Sequence, residues 1–337
     1  YGKQKVLNGV SGYIRPSECA AILGPSGAGK STLLDILADR RRGNFSGSTK
    51  LYAADSDGGK KYNRRDAIAY VTQFDCFLPT QTVAEAVIFS ALLRSSVEGV
   101  GEGLNQRIYA VLQSLSLMHI KDSKIGNPDL GGISGGESKR LSIAVELVTQ
   151  PGLLFLDEPT SGLDSHSVET LMDILSALSK TGCSCLFTIH QITQEFFLSL
   201  NRVILLGLGG NVVYCGPPSQ CRNYFTSLRY ECPPETNIAD YILSVAQQKC
   251  VNIIKSLDHE YKNSSWFSQV KDEVERQSAR RLTADSSFHS ISDQTPSFSR
   301  KRSCIARFFL LCEREFKKLS RDLTLLLTTY CVSLFMA

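Results

Sequence analysis

The fold is predicted by one stretch of the sequence, Gly24-Pro25-Ser26-Gly27-Ala28-Gly29-Lys30-Ser31. It has the form G-x-x-x-x-G-K-[ST]; an apolar run at 20–23 predicts a preceding strand, and the run at 32–37 predicts a following helix. Glycine allows the tight turn in which successive backbone N–H groups face phosphate oxygens, and a helix N-terminus adds partial positive charge there. In loops of this form the lysine reaches the β- and γ-phosphates and the last hydroxyl ligates Mg²⁺. This stretch, the phosphate loop, therefore predicts a site for a nucleoside triphosphate with Mg²⁺. The alternative is a chance glycine-rich turn.

Composition limits the class of protein. The chain has 337 residues, 42% of them hydrophobic, which suggests two structural units or one unit with appendages. The formal net charge of +4 gives no argument for nucleic-acid binding. The 11 cysteines include no C-x-x-C pair, which favours reduced thiols over a metal clip or a disulfide framework. No signal peptide is visible, and because residue 1 falls within a strand-and-turn pattern we expect the natural chain to begin earlier.

Polar side chains end three further apolar runs of the chain. They are Gln73 after the run 68–71, Asp157 and Glu158 after the run 153–156, and His190 after the run 186–189. Because parallel strands end at one edge of a sheet, we expect His190 to lie at the same sheet edge as Glu158 and to contact the γ-phosphate. Asp157 would hold Mg²⁺, Glu158 would polarise the attacking water, and the amide oxygen of Gln73 suits both. The alternatives are a structural histidine, a surface-loop glutamine and a strand that meets solvent at its acidic end.

A second anion-binding helix N-terminus is predicted at Ser134-Gly135-Gly136-Glu137, which leads into a helical run at 141–147. One such loop from each fold is enough to bind a γ-phosphate, and this chain has two, at 24–31 and at 134–137. Both are useful if the second loop closes on a nucleotide held by a neighbouring molecule. The alternative is a simple helix N-cap.

These elements, in this order and together with Asp164, resemble the ATP-binding cassette (ABC) ATPases over residues 1 to about 215. The resemblance implies two cassettes facing head to tail, with each ATP held by Lys30 of one and by Ser134 and Gly136 of the other. It also implies that Asp164 links the two sites. Tyr1, 29 positions before Lys30, has the flat ring that could stack on adenine; the alternative is an ordinary exposed tyrosine.

The resulting site predictions form three sets. The ATP-binding set is Tyr1, Gly24, Pro25, Ser26, Gly27, Ala28, Gly29, Lys30, Ser31, Thr32, Ser134, Gly135, Gly136, Glu137 and Asp164. The Mg²⁺ set is Ser31, Gln73 and Asp157, and the catalytic set is Glu158, His190 and Gln73.

Finer motifs resemble the G (White/pleiotropic-drug-resistance) subfamily of ABC proteins. They lie at 137–143, 157–164, 212–217, 230–234 and 237–241, with Ile238 where the subfamily often has proline. This resemblance implies an exporter of lipid, sterol or other hydrophobic small molecules, integral to a membrane, with the cassette on the cytosolic side. The implied partners are a second cassette, a membrane domain beyond residue 337 and the lipid bilayer, without nucleic acid. The alternative is a soluble ABC ATPase that acts on nucleic acid or ribosomes.

Residues 1–250 are predicted as the nucleotide-binding domain, an α/β core of the phosphate-loop type. Two additions to that core are expected. Glycine- and serine-rich turns alternate with short apolar runs at 47–72 and predict a small antiparallel β subdomain. Helical periodicity at 81–120 predicts a helical subdomain between the phosphate loop and the acidic strand end.

The C-terminal third is predicted to lead to a membrane. Residues 251–303 are expected to form a flexible Ser/Arg-rich linker. Residues 304–321 predict a basic amphipathic connecting helix at a membrane surface, with packing on the cassette as the alternative. Residues 322–337, uncharged from Leu323 to Ala337, are read as the first part of a transmembrane helix that continues past residue 337, or else as a helix buried in a soluble protein.

Overall fold

A computed structural model describes residues 5–41, 45–51, 67–94, 102–127, 131–248, 251–285, 303–321 and 332. Their elements are, in chain order, β1 (Cys19–Leu23), α1 (Lys30–Leu37), β2 (Ile68–Val71), α2 (Val83–Arg94), α3 (Glu102–Ser114), β3 (Gly126–Asn127), β4 (Gly131–Gly132), α4 (Gly135–Leu147), β5 (Leu153–Leu156), α5 (Ser165–Lys180), β6 (Ser184–Ile189), α6 (Gln194–Ser199), β7 (Arg202–Gly207), β8 (Asn211–Gly216), α7 (Pro218–Ser227), α8 (Ile238–Ala246), α9 (Val251–Asn263), α10 (Ser265–Asp285) and α11 (Cys304–Arg321). The chain divides into two compact units: residues 1–73, 152–161 and 175–295 form the first, and residues 74–151, 162–174 and 296–337 form the second.

The first unit is built on one six-stranded sheet in the order β2-β5-β6-β1-β7-β8. Its strands are parallel except for the antiparallel hairpin of β7 and β8. β1, β6, β7 and β8 are buried along their whole length, as expected of strands covered on both faces. The predicted α/β class is therefore confirmed.

The strand register places the ends of four parallel strands at one edge of this sheet. Leu23 pairs with Ile189, Leu156 pairs with Phe187, and Val71 pairs with Leu156. The phosphate loop, Gln73, Asp157, Glu158 and His190 all follow these ends in the chain.

The run Ile68–Val71 corrects the prediction of an antiparallel region at 47–72. It forms β2, which pairs in parallel with β5 and belongs to the central sheet. A four-residue apolar run does not reveal the direction of its neighbour, because periodicity is the same in both kinds of sheet. Residues 48–51 form no strand, and residues 52–66 lie outside the described part of the chain. The antiparallel pairing of the described residues lies in β7–β8 and β3–β4, with an isolated bridge from Thr82 to Lys124.

The structure also corrects the first part of the predicted flexible linker at 251–303. Residues 251–285 form α9 and α10 in the first unit, and Ile254, Leu257 and Tyr261 of α9 are buried. These three residues recur at helical spacing within a polar sequence, which hid them from an argument based on composition. Residues 286–302 lie outside the described residues.

Contacts between aromatic rings connect these two helices, through α7, to the edge strand β8. The ring centroids of Tyr214 and Tyr224 are 5.1 Å apart, those of Tyr224 and Trp266 5.4 Å, and those of Tyr261 and Phe267 5.5 Å. Such tilted and edge-to-face pairs add to the apolar area that the helices bury. The folded unit therefore continues past the predicted boundary at residue 250.

The second unit is mainly helical, as predicted for 81–120, and contains α2, α3, α4 and α11. α11 contacts α2: the guanidinium of Arg314 lies 4.6 Å from the ring centroid of Phe89, and Arg321 forms an ion pair with Glu85 at 2.6 Å. Six large apolar side chains of α11 are exposed. They are Ile305, Phe308, Phe309, Leu311, Phe316 and Leu319.

The predicted start of a transmembrane helix at 322–337 lies outside the described residues, apart from residue 332. Among the residues that the structure describes, none of the helices combines the length and apolar character needed to span a bilayer.

Candidate nucleotide site

The phosphate loop turns into α1 at Gly29, the N-cap of that helix, whose φ of +93° lies in the left-handed region. A Cβ at this position would lie 2.9 Å from Cδ2 of Leu7, so both conformation and space require glycine. The first N–H groups of a helix have no intrahelical partner. Those at the start of α1 are therefore available to an anion, and the loop is the kind of cradle that a phosphate needs.

Lys30 brings a positive charge to this loop. Its ammonium group donates to the carbonyl oxygens of Gly24 at 2.9 Å and Pro25 at 3.1 Å, and it lies 3.4 Å from Nδ1 of His190. Burial lowers the pKa of Lys30, while the nearby carboxylates of Glu158 and Asp157 oppose that shift. The side chain is only 4% exposed. A negatively charged ligand would stabilise a buried cation whose hydrogen-bond partners are neutral carbonyl groups, so the site fits a polyphosphate.

Two oxygen donors suited to Mg²⁺ lie together beside the loop. The hydroxyl of Ser31 donates to Oδ1 of Asp157 at 2.8 Å, and the hydroxyl of Thr188 donates to the same oxygen at 2.7 Å. Mg²⁺ prefers hard oxygen ligands and keeps several waters, usually with one or two carboxylates and substrate phosphates. The donor set of Ser31 and Asp157 therefore fits this ion.

Glu158 is held at this sheet edge by two side chains. Its Oε1 lies 2.6 Å from Nε2 of His190, and its Oε2 accepts a hydrogen bond from Nε2 of Gln73 at 2.9 Å. An ammonium group can only donate hydrogen bonds, so Nδ1 of His190 accepts from Lys30. The proton of the imidazole is then on Nε2, which faces Glu158. Gln73, Glu158 and His190 thus form one hydrogen-bonded chain.

The backbone at Glu158 is in an unusual conformation. Its φ of +44° is left-handed, which costs a non-glycine residue about 1–3 kcal/mol and is common at functional sites. Its N–H donates to the hydroxyl of Thr188 at 2.8 Å. This fully buried hydroxyl therefore joins Asp157 to Glu158. The sequence analysis missed Thr188, although it is the polar residue in the apolar run before His190, which is the signal that could have identified it.

The structure thus brings together the predicted residues of the sheet edge, namely Lys30, Ser31, Gln73, Asp157, Glu158 and His190. Tyr1 lies outside the described residues, so its predicted stacking on adenine stays a prediction. The Ser134–Glu137 turn and Asp164 belong to the second unit.

Within the second unit, Ser134 is the N-cap of α4. Its hydroxyl accepts from the N–H of Glu137 at 3.2 Å, and its own N–H donates to Oε2 of Glu137 at 2.7 Å. Burial raises the pKa of Glu137, but hydrogen bonds from Ser134 and the positive charge of Arg140 outweigh it and leave the pKa below its ordinary value. This capping box is compatible with both predictions for the turn, and the first N–H groups of the helix, at the exposed Gly135 and the buried Gly136, have no intrahelical partner.

Ser167 connects this turn to Asp164 inside the second unit. The hydroxyl of Ser167 donates to Oδ1 of Asp164 at 2.7 Å, and its N–H donates to Oδ2 at 3.1 Å. A Cβ added at Gly136 would lie 2.6 Å from the hydroxyl oxygen of Ser167, so the two segments meet at a glycine. The hydroxyl of Ser167, followed by its N–H, lowers the pKa of the exposed Asp164.

Comparison with known proteins gives consistent results. Residues 7–161 match the sequence family described as ABC transporter. The chain is 35% identical over 342 residues to the broad substrate specificity ATP-binding cassette transporter ABCG2 of Sus scrofa, covering 94% of this chain and 50% of that protein. It is 42% identical over 249 residues to ABC transporter G family member 13 of Arabidopsis thaliana, covering 74% of this chain and 35% of that protein. A probable ATP-dependent permease of Saccharomyces cerevisiae is 42% identical over 245 residues, covering 72% of this chain and 23% of that protein.

The chain thus spans half of the length of the first of these relatives, and less of the other two. Among solved structures, an inward-facing putative metal-chelate type ABC transporter matches with a TM-score of 0.51 and 24% identity, over 64% of this chain and 79% of that chain. At this level of identity the match shows a shared fold alone.

Proposed function

The chain belongs to the ABC transporter family, and on that premise we propose that it is the ATP-hydrolysing cassette of a G-type exporter. The observation that carries the proposal is the position of Glu158. Its carboxylate is held between Gln73 and His190, next to the Ser31–Asp157 pair and the buried Lys30.

In the proposed reaction the loop N–H groups and Lys30 bind the β- and γ-phosphates, and Ser31 and Asp157 hold Mg²⁺. When bound, Mg²⁺ neutralises charge that develops on the phosphate oxygens. Glu158 orients a water molecule for in-line attack on the γ-phosphorus and accepts its proton, while the bond from that phosphorus to the β,γ-bridging oxygen breaks and ADP leaves. His190, through its Nε2–H, keeps the carboxylate of Glu158 in place.

A second cassette completes each site in this proposal. The exposed Ser134 turn would be offered to the ATP held by the other cassette, and Asp164, joined to that turn through Ser167, would link the two sites. The γ-phosphate charge attracts the helix N-terminus at Ser134, so ADP should not hold the pair closed.

The proposed cargo is a lipid, sterol or other hydrophobic small molecule, exported across a membrane with this cassette on the cytosolic side. Two observations support the proposal. The relatives carry the names transporter and permease and are longer than this chain. The second unit also presents an exposed row of apolar side chains on α11, among basic residues, as expected near a bilayer or a membrane domain.

The test of this proposal is nucleotide-dependent association. Glu158→Gln keeps the shape of the side chain but removes the base, so the chain should bind ATP with Mg²⁺ and remain as a dimer, seen by size-exclusion chromatography with light scattering. With ADP it should remain a monomer. A Glu158→Gln chain that binds ATP and stays monomeric at every concentration would contradict the two-cassette site. Lys30→Ala, which should bind ATP poorly, is the control for nucleotide dependence.

A further inference from the structure

We propose that Asp75 is a positioning residue for the Ser134 turn. Its carboxylate holds the first two turns of α4 in the orientation in which that turn meets the nucleotide of a second cassette. The inference rests on the proposed function and deepens it, because it names a residue outside the ATP site on which closure of the cassette pair depends.

Within the second unit, the carboxylate of Asp75 accepts hydrogen bonds from three side chains of α4. Oδ1 of Asp75 accepts from the ammonium group of Lys139 at 2.7 Å and from the hydroxyl of Ser142 at 2.7 Å, and Oδ2 accepts from the hydroxyl of Ser138 at 3.1 Å. The three donors lie on adjacent turns of α4, directly after the Ser134–Glu137 turn. A rotation of α4 would break all three contacts together, so Asp75 determines how the start of this helix is presented.

The charges at this contact make it costly to separate. The side chain of Lys139 is 4% exposed and that of Asp75 is 16% exposed. Removing one member of such a buried ion pair leaves the other without its main compensation, unlike the loss of a pair in water. The contact is therefore stiffer than a surface ion pair and suited to fixing the orientation of α4.

Asp75 also lies close in the chain to a residue of the ATP site. Asp75 follows Gln73 with only Phe74 between them, and Gln73 donates to the proposed base Glu158.

The Arg94–Glu146 ion pair provides a comparison with an equally buried carboxylate and a more exposed cation, since the side chain of Arg94 is 41% exposed. It also anchors α4, but near the opposite end of the helix, where Arg94 of α2 donates to Glu146 at 2.5 and 2.7 Å. The side chain of Glu146 is as buried as that of Asp75, at 16% exposed. If anchoring α4 anywhere were enough, loss of either pair would have the same effect on closure.

The test combines Asp75→Asn with Glu158→Gln, the background expected to form an ATP-bound dimer. ATP binding is measured with a fluorescent ATP analogue at protein concentrations where the chain is monomeric, and dimer dissociation by analytical ultracentrifugation in ATP and Mg²⁺. We expect ATP affinity within about twofold of the parent and a dimer dissociation constant about tenfold higher, in the usual range for coupled sites. Glu146→Gln in the same background should leave the dimer dissociation constant unchanged.

Conservative variants separate positioning from folding. Lys139→Arg keeps the charge opposite Asp75 and should dimerise nearly as the parent does. If Asp75→Asn does not fold, as judged by circular dichroism, the double variant Ser138→Ala with Ser142→Ala keeps the ion pair and removes two of the three donors. That variant should still weaken the dimer severalfold without changing ATP affinity.

Each outcome decides the inference. An Asp75→Asn chain, or the double serine variant in its place, that dimerises as tightly as the parent overturns it and leaves the proposed function intact. Equal weakening by Glu146→Gln overturns it as well, because a general loss of helix anchoring would then be sufficient. A parent chain that binds no ATP, or binds it and never dimerises, refutes the proposed function and the inference with it.

Discussion

Thr188 joins the proposed metal ligand to the proposed base. Its buried hydroxyl donates to Asp157 and accepts from the N–H of Glu158, at the residue whose backbone is left-handed. One hydroxyl can serve both groups because it has one donor and two acceptor lone pairs. The geometry of the carboxylate pair therefore depends on a side chain that would not itself touch the nucleotide.

Thr188→Val tests this role, because valine has nearly the same shape and no hydroxyl. The buried N–H of Glu158 would lose its partner, which should lower the free energy of unfolding by about 1–3 kcal/mol. The kcat for ATP should also fall, since Glu158 and Asp157 lose their common support. Urea unfolding and phosphate release measure the two effects.

Thr188→Ser keeps the hydroxyl and is the matched control. It should retain most of the kcat of the unaltered chain, with a small loss of stability from the missing methyl group. If Thr188→Val matched the unaltered chain in both stability and kcat, the hydrogen bonds of Thr188 would have no role in the site.

At the scale of the element, α11 is attached to α2 through one carboxylate. Arg321 donates to both oxygens of Glu85, at 2.6 and 2.8 Å. Glu85 also accepts from the N–H of Thr82 at 3.0 Å, while its own N–H donates to the hydroxyl of Thr82 at 3.2 Å, which caps α2. The hydrogen bonds from Arg321 hold the pKa of Glu85 below its ordinary value of 4.5.

This lowered pKa predicts how the attachment of α11 depends on pH. A carboxylate with a lowered folded-state pKa contributes stability that is complete above its unfolded pKa and is lost as pH falls through the folded value. Hydrogen-exchange protection of residues 304–321, corrected for intrinsic rates, should therefore be constant above about pH 5 and decrease as the pH falls below 4.5.

Arg321→Gln should reduce this pH dependence and lower protection about two- to fivefold at neutral pH, the size expected of a partly exposed ion pair. Lys318→Gln is the control, because Lys318 pairs with Glu315 inside α11 and not with α2. Protection that is the same in Arg321→Gln and the unaltered chain would show that the Glu85–Arg321 pair does not hold the helix.

The elements that sequence could predict are those whose signal is local. The strand before the phosphate loop, α1, β5 and β6 follow from apolar runs with polar ends. The direction of β2 and the folding of α9 and α10 did not follow, because both depend on distant partners. β2 pairs with β5, and α9 buries Tyr261 against the rings of Tyr224 from α7 and Phe267 from α10.

The site shows the same division between local and distant signals. Lys30, Asp157 and His190 could be proposed from motifs and strand ends. The contact of Asp75 with Lys139 could not, because the two residues are separated by 64 positions and neither belongs to a motif with a required partner. Thr188 had a local signal, as a polar residue in an apolar run, but its two partners Asp157 and Glu158 follow a different strand and could not be assigned to it from the sequence.

At the scale of the whole molecule, the account assigns the two halves of an ATP site to two copies of a cassette. The first unit supplies Lys30, the metal ligands and Glu158, and the second unit of another copy supplies the Ser134 turn. All of this depends on the chain being an ATPase whose base is Glu158.

The most direct test is Mg²⁺-dependent phosphate release from ATP, measured in parallel for the unaltered chain and Glu158→Gln. The account predicts steady turnover by the unaltered chain, and a kcat at least about 100-fold lower in the variant at nearly unchanged ATP affinity, because a general base contributes about 10²–10⁴-fold. Turnover by Glu158→Gln at the rate of the unaltered chain would contradict the account.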